Sequence, residues 1–229
     1  MNESALRRPA GAAVSLEHMP FALDGGIAHR ARIGIIVLAT DHTLEHEFRQ
    51  ILSQDGVAFY ETRILNDVDI NPRTLAAMEQ GMTAAAAAIL PGIALDVVAY
   101  GCTSGSVVTG EERVFELTRK ARPKAACTTP ITGAIAGLKA MDCRRIALLT
   151  PYVESVNQML RRYLEERGIA VPVMGSFNHE NDNEVACISQ ESIRGAVREL
   201  MKEPQVDGVF VSCTSLRVAS IVESMEAEF

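Results

Sequence analysis

Residues 95–104, LDVVAYGCTS, and residues 206–215, VDGVFVSCTS, decide the fold. In both, an apolar residue and an aspartate precede a short β-branched run that ends in Cys-Thr-Ser. Cys102 and Cys213 therefore hold equivalent places 111 residues apart. A second pair has nearly the same offset, since Arg32-Ile33 opens the run IGIIVLA and Arg145-Ile146 opens RIALLT, 113 residues later. Self-similarity of this kind marks a duplicated unit. Each half reads strand, helix, strand, helix, strand, Cys-Thr-Ser, helix.

Working outward, Ile33–Ala39 is continuously apolar rather than alternating, which describes a strand buried on both faces. Further strands are expected at Val57–Leu65, Ala94–Tyr100, Lys124–Cys127, Arg145–Thr150, Ala170–Gly175 and Gly208–Ser212. Helical patterns occupy Thr43–Gln54, Pro72–Leu90, Gly110–Arg122, Ile131–Met141, about Glu154 to Arg167, Ser189–Lys202, and Leu216 to the end. Pro72 suits a helix start, and Pro91-Gly92 stops that helix. Strands separated by helices of this length pair in parallel, with helices on both faces. The expected fold is α/β, with two pseudo-twofold-related open parallel-sheet lobes and the site between them. Lobe 1 covers 32–142 and lobe 2 covers 143–229, the chain being free to cross between them. Residues 1–31 show no period and read as a flexible arm. The first half adds Lys124–Cys127 and Ile131–Met141 after its Cys-Thr-Ser helix, and the second half has no counterpart. By the repeat's own logic one βα unit is missing, and a shortened chain is the simplest expectation.

Composition narrows the class. The chain has 229 residues, is 48% hydrophobic and 22% charged, and carries a formal charge of −7. No basic block suggests nucleic acid, and no uncharged apolar run reaches the ~18 residues of a membrane span. The first 31 residues lack an apolar signal core. Five cysteines (102, 127, 143, 187, 213) are an odd number with no C-x-x-C pair. A reduced, cytoplasmic protein is expected, not a disulfide framework or a zinc site.

In open parallel sheets, ligands sit beyond the carboxyl ends of the strands. Cys102 and Cys213 both fall there. Thr103 and Ser104 follow one, Thr214 and Ser215 the other, and their N–H and hydroxyl groups can hold an anion at a helix start. The same position is expected to lower the thiol pKa. Two such loops face to face would set a thiolate on each side of a small carboxylate. That suits removing a proton from one face of a carbon and returning it on the other, with the donors stabilising the developing charge. A lone cysteine is more often core filler, which is the reading for Cys127, Cys143 and Cys187. Recurrence of the tripeptide sets Cys102 and Cys213 apart.

Four segments then carry a resemblance. YGCTSGS (100–106), VSCTSLR (211–217), LTPY (149–152) and VLATDHTLE (37–45) resemble the aspartate/glutamate racemase superfamily. The likeness is closest to its branch of maleate isomerases, arylmalonate decarboxylases and ectoine-utilisation racemase-like proteins, and it runs from roughly Arg32 to Phe229. It implies a cofactor-independent, two-lobed enzyme that assembles as a dimer or higher homo-oligomer. Its racemases and isomerases use two cysteines, whereas its decarboxylases keep only the second and have glycine at the first. Cys102 therefore places this chain with the two-cysteine members. Tyr152 matches a tyrosine that donates to a substrate carboxylate.

Asp41 stands where the maleate isomerase pattern has asparagine. An acid there would repel a second substrate carboxylate and could receive an ammonium or amide group, or it caps the next helix. His42 and His46 read as solvent-facing. FNHENDN (177–183) falls where the family has a substrate-binding asparagine, without saying which of Asn178, Asn181 and Asn183 matches it. The expected function is racemisation or isomerisation of a small, amino-acid-derived carboxylate by proton transfer between Cys102 and Cys213. The ectoine-like wording suggests a diaminobutyrate derivative, with Thr103, Ser104, Thr214 and Ser215 cradling the carboxylate. Maleate-type isomerisation through covalent cysteine addition, arylmalonate-type decarboxylation and non-catalytic carboxylate binding are the alternatives.

Overall fold

Asp96 and Asp207, the aspartates of the two repeated stretches, each clamp the opening strand of their own half. Asp96 Oδ2 accepts from the Arg32 N–H at 2.7 Å, and Asp207 Oδ2 accepts from the Arg144 and Arg145 N–H groups at 2.9 Å each. The two offsets seen in the sequence are thus one contact made twice. Each aspartate also donates its own N–H to the carbonyl of the arginine, Arg32 at 2.9 Å and Arg145 at 2.6 Å, which fixes the strand register.

The computed structural model describes residues 15–228. Its first sheet holds β1 (Ala31–Leu38), β2 (Val57–Ile64), β3 (Val97–Tyr100) and β4 (Ala126–Thr128), in the order β2-β1-β3-β4. The second holds β5 (Arg145–Thr150), β6 (Ala170–Ser176) and β7 (Gly208–Val211), in the order β6-β5-β7. Every pair in both sheets is parallel. The central strands are the most apolar, because a strand covered by helices on both faces has no solvent side. Ile35, Ile36 and Val37 in β1 and Ile146 to Leu149 in β5 are no more than 1% exposed.

The helices are α1 (Leu44–Ile51), α2 (Pro72–Ala77), α3 (Met82–Ala88), α4 (Thr103–Thr109), α5 (Glu111–Ala121), α6 (Pro130–Ala140), α7 (Glu154–Glu165), α8 (Asp182–Val185), α9 (Gln190–Leu200) and α10 (Val222–Glu226). The fold is the expected two-lobed α/β arrangement. One apolar core runs through both lobes, with Ile36 and Tyr100 from the first and Leu148 and Tyr152 from the second. None of the described helices is long and apolar enough to cross a membrane.

The departures are local and have causes. The single helix expected over Pro72–Leu90 is interrupted by a 3-10 turn at Met78–Gly81. Gly81 lies so close to Ile64 that an added Cβ would come within 3.0 Å of it, so the turn tightens against β2. The helix expected from Gly110 is preceded by α4, and Gly110 (φ 87°) separates the two. The helix expected from Leu216 is a series of turns that becomes helical only at Val222. Of the arm expected over 1–31, residues 15–30 carry no helix or strand, and residues 1–14 lie outside the described residues. The second sheet has no counterpart of β4 among the described residues.

Candidate active site

Chain direction delivers both cysteines to the cleft. β3 ends at Tyr100 and β7 at Val211, so Cys102 and Cys213 emerge at the carboxyl edges of the two sheets. Both line one narrow cleft, together with Thr103, Ser104, Thr214, Ser215 and Tyr152. The loops are tied across the lobes. The Thr214 hydroxyl donates to the Gly101 carbonyl at 3.2 Å, and the Thr43 hydroxyl donates to the Ser215 carbonyl at 2.9 Å.

The two cysteines are not equivalent. Cys102 caps α4: its sulfur accepts from the Gly105 N–H at 3.2 Å, its carbonyl accepts from the Ser106 N–H at 3.1 Å, and the Ser104 hydroxyl lies 3.8 Å from the sulfur. No helix starts after Cys213, so the helix-start argument holds for Cys102 alone. Cys213 instead has a φ of 155°, which non-glycine residues rarely adopt and which recurs at functional positions. Its sulfur faces the Ser215 N–H and the Tyr152 hydroxyl.

Two glycines make room for this arrangement. A Cβ at Gly105 would fall 2.6 Å from the Tyr100 hydroxyl and 2.9 Å from the Cys102 sulfur. At Gly101 it would fall 2.3 Å from Leu44.

The expectation of lowered thiol pKa values is overturned. Burial pushes Cys102 up to about 11, against the lowering effect of the Gly105 N–H and the Ser104 hydroxyl. Burial and then the Asp182 charge push Cys213 up to about 12. Desolvating a thiolate outweighs one or two amide donors here. Tyr152, 1% exposed, is raised well above its ordinary value by burial, and its hydroxyl faces Cys213 and Ser104.

Asp182 was missed by sequence reasoning. It is 3% exposed, lines the cavity, and sits in the flagged FNHENDN stretch between two asparagines that do other work. Asn181 accepts from the Glu184 N–H at 3.3 Å, and Asn183 bonds His42 at 2.9 Å. Asp182 is carried into the cleft by a cross-lobe β-bridge between Asp69 and Asn181. Its own N–H donates to the Val68 carbonyl at 2.9 Å. It accepts from the Ser215 hydroxyl at 2.9 Å and from the Thr40 hydroxyl. The Ser215 hydroxyl is thereby turned away from a carboxylate cradle, which leaves its backbone amide for the Cys213 sulfur.

Asp41 does not line the cavity. Its Oδ1 accepts from the Thr43 and Leu44 N–H groups at 2.7 Å each, the capping arrangement, while Oδ2 is buried without a partner. His42 and His46 are exposed. No group of three or more potential metal ligands exists among the described residues.

Fold and site together define a two-lobed α/β protein with a paired-cysteine cleft. The family model described as arylmalonate decarboxylase matches residues 33–229, and the chain belongs to that family. It is 29% identical over 209 residues to a maleate isomerase of Nocardia farcinica, spanning 86% of this chain and 82% of that protein. It is also 29% identical over 101 residues to an arylmalonate decarboxylase of Bordetella bronchiseptica, 44% of this chain and 42% of that one. Among solved structures it is similar to a cysteine-to-serine variant of the Nocardia farcinica maleate cis–trans isomerase with a covalently bound succinylcysteine intermediate. That match has a TM-score of 0.78 and 28% identity, over 87% of this chain and 84% of that one.

Proposed function

We propose that the protein is a cofactor-independent isomerase that moves a small unsaturated carboxylate between cis and trans forms by reversible cysteine addition. The observation that carries this reading is the pairing of Cys102 and Cys213 from opposite lobes in one cleft. A saturated succinyl group on cysteine in the Nocardia farcinica protein favours addition over simple proton transfer. The relatives named above are isomerases and decarboxylases, so racemisation gives way to this alternative, and the ectoine-utilisation likeness carries no argument here.

The roles follow from the asymmetry of the site. Cys102 caps α4 and has more donors on its sulfur, so it is the thiol that gives up its proton to solvent and attacks as thiolate, while Cys213 keeps its own proton. The Cys102 thiolate forms a C–S bond to the alkene carbon β to the carboxylate, and the π electrons move onto the α-carbon and its carboxylate. The Cys213 thiol protonates the α-carbon, leaving Cys213 as thiolate. The former double bond is now single and rotates. Cys213 then removes a proton from the same carbon, the double bond re-forms, and Cys102 leaves as thiolate.

The donors assigned to the enediolate-like charge lie at the start of α4 and beside Cys213. These are the Thr103 and Ser104 N–H groups, which precede the first intrahelical bond of α4, with the Ser104 and Tyr152 hydroxyls. Incubation with maleate or maleamate, followed by proton NMR, tests the reading. Interconversion with the trans isomer is expected, and it should be lost in Cys102→Ser. Wild-type protein that leaves maleate, maleamate and cis-4-aminocrotonate all unchanged, or a Cys102→Ser variant that isomerises normally, refutes it.

A further inference from the structure

The cavity brings negative charge and nothing to balance it. Its lining includes Asp67, Asp69 and Asp182, and no Lys, Arg or His among the described residues. The two Asp182 side-chain oxygens accept from neutral hydroxyls, those of Ser215 and Thr40. Beside it lies a second, independent sign. Asp41 is 3% exposed, its Oδ2 has no hydrogen-bond partner because the nearby Thr214 hydroxyl donates to the Gly101 carbonyl, and it lies close enough to Asp182 to feel that residue's charge. Arg63 contacts Asp41 only at its backbone carbonyl, at 3.0 Å, and directs its other nitrogen to Glu45 at 2.8 Å. Among the described residues neither aspartate forms an ion pair. Two buried carboxyl groups within reach of each other's charge and without a counter-ion are costly until a cation arrives.

We propose that this site takes a monocarboxylate bearing a protonated amine at its far end, and that Asp182, with Asp41 behind it, receives the ammonium. The inference rests on the isomerase reading for its chemistry, but not for its binding preference. A dicarboxylate would set its second carboxylate against Asp182, and such like-charge juxtaposition discriminates by roughly tenfold or more. The ammonium would do a second thing. The Asp182 charge helps hold both thiols protonated, so a cation beside it favours the thiolate that the reaction needs.

Saturated analogues test the preference without requiring turnover. Isothermal titration of the full chain with 4-aminobutyrate and with succinate should show 4-aminobutyrate binding roughly tenfold or more tightly. The order should reverse in Asp182→Asn and narrow in Asp41→Asn. Succinate binding to wild-type protein as tightly as 4-aminobutyrate, or no binding of 4-aminobutyrate, overturns the proposal. So does an Asp182→Asn variant that keeps the wild-type order. If Asp182→Asn does not fold, the wild-type comparison and Asp41→Asn still decide. A parallel NMR assay with cis-4-aminocrotonate and maleate separates the two claims. Preference in binding without turnover of either sinks the isomerase reading alone, and faster turnover of maleate sinks this proposal alone.

Discussion

The Thr214 hydroxyl donates to the carbonyl of Gly101 across the lobe boundary, at 3.2 Å. The residue after one cysteine is therefore bonded to the residue before the other. This contact fixes the two thiols relative to each other more directly than either sheet does. Thr214→Val keeps the shape and removes the bond. It should cost about 1 kcal/mol of stability in thermal denaturation, with a much larger proportional loss of turnover. Equal, small effects on both would show that the tie does not position the pair.

Gly105 has no room for a side chain. Gly105→Ala would press a methyl group against the Tyr100 hydroxyl and the Cys102 sulfur, at 2.6 and 2.9 Å before relaxation. Overpacking of this kind costs roughly 1–3 kcal/mol. A lowered melting temperature together with altered labelling of Cys102 is expected, and a wild-type melt with wild-type labelling would contradict the packing described here.

The thiols should titrate late. Cys102 and Cys213 sit at about 11 and about 12, above the usual 9, because burial disfavours the thiolate. Iodoacetamide labelling of Cys102 should therefore rise about tenfold per pH unit from neutrality to pH 10; a profile that levels off above about pH 9 would show an ordinary thiol. The stability consequence has a definite sign. Folded-state values above the unfolded ones mean the stabilising contribution is complete below pH 9 and is lost as pH climbs through about 11 and about 12. The melting temperature should fall in that window, and fall less in a Cys102→Ala, Cys213→Ala double variant.

Asp182 raises both thiols through its charge. Asp182→Asn should accordingly speed labelling of Cys102 at a fixed pH near 8, with the fold checked by circular dichroism. An unchanged or slower rate in a folded variant would mean that the carboxylate is not felt at the sulfur.

What the sequence made legible follows from period and repetition. β1 and β5 were readable because a strand buried on both faces must be continuously apolar, and Cys102 and Cys213 because one tripeptide follows one strand pattern twice. Helix α4 was not readable, since TSGSVVT is poor in helix formers. It is held by its cap, with the Cys102 carbonyl accepting from the Ser106 N–H and hydroxyl. Asp182 escaped for a different reason. What brings it to the cysteines is the pairing of Asp69 with Asn181, a contact between segments more than 100 residues apart that no local pattern announces. The thiol pKa values were misjudged because a helix start is visible in sequence and the desolvation of the two sulfurs is not.

The central claim is that Cys102 forms a saturated adduct and that Cys213 is needed to take the proton back and release the adduct. Peptide mass spectrometry of a Cys213→Ser variant incubated with maleate or maleamate tests it most directly. The peptide carrying Cys102 should gain the mass of one intact substrate molecule. An unmodified Cys102 under conditions where wild-type protein isomerises the substrate, or the added mass on Cys127, Cys143 or Cys187 instead, would contradict the account.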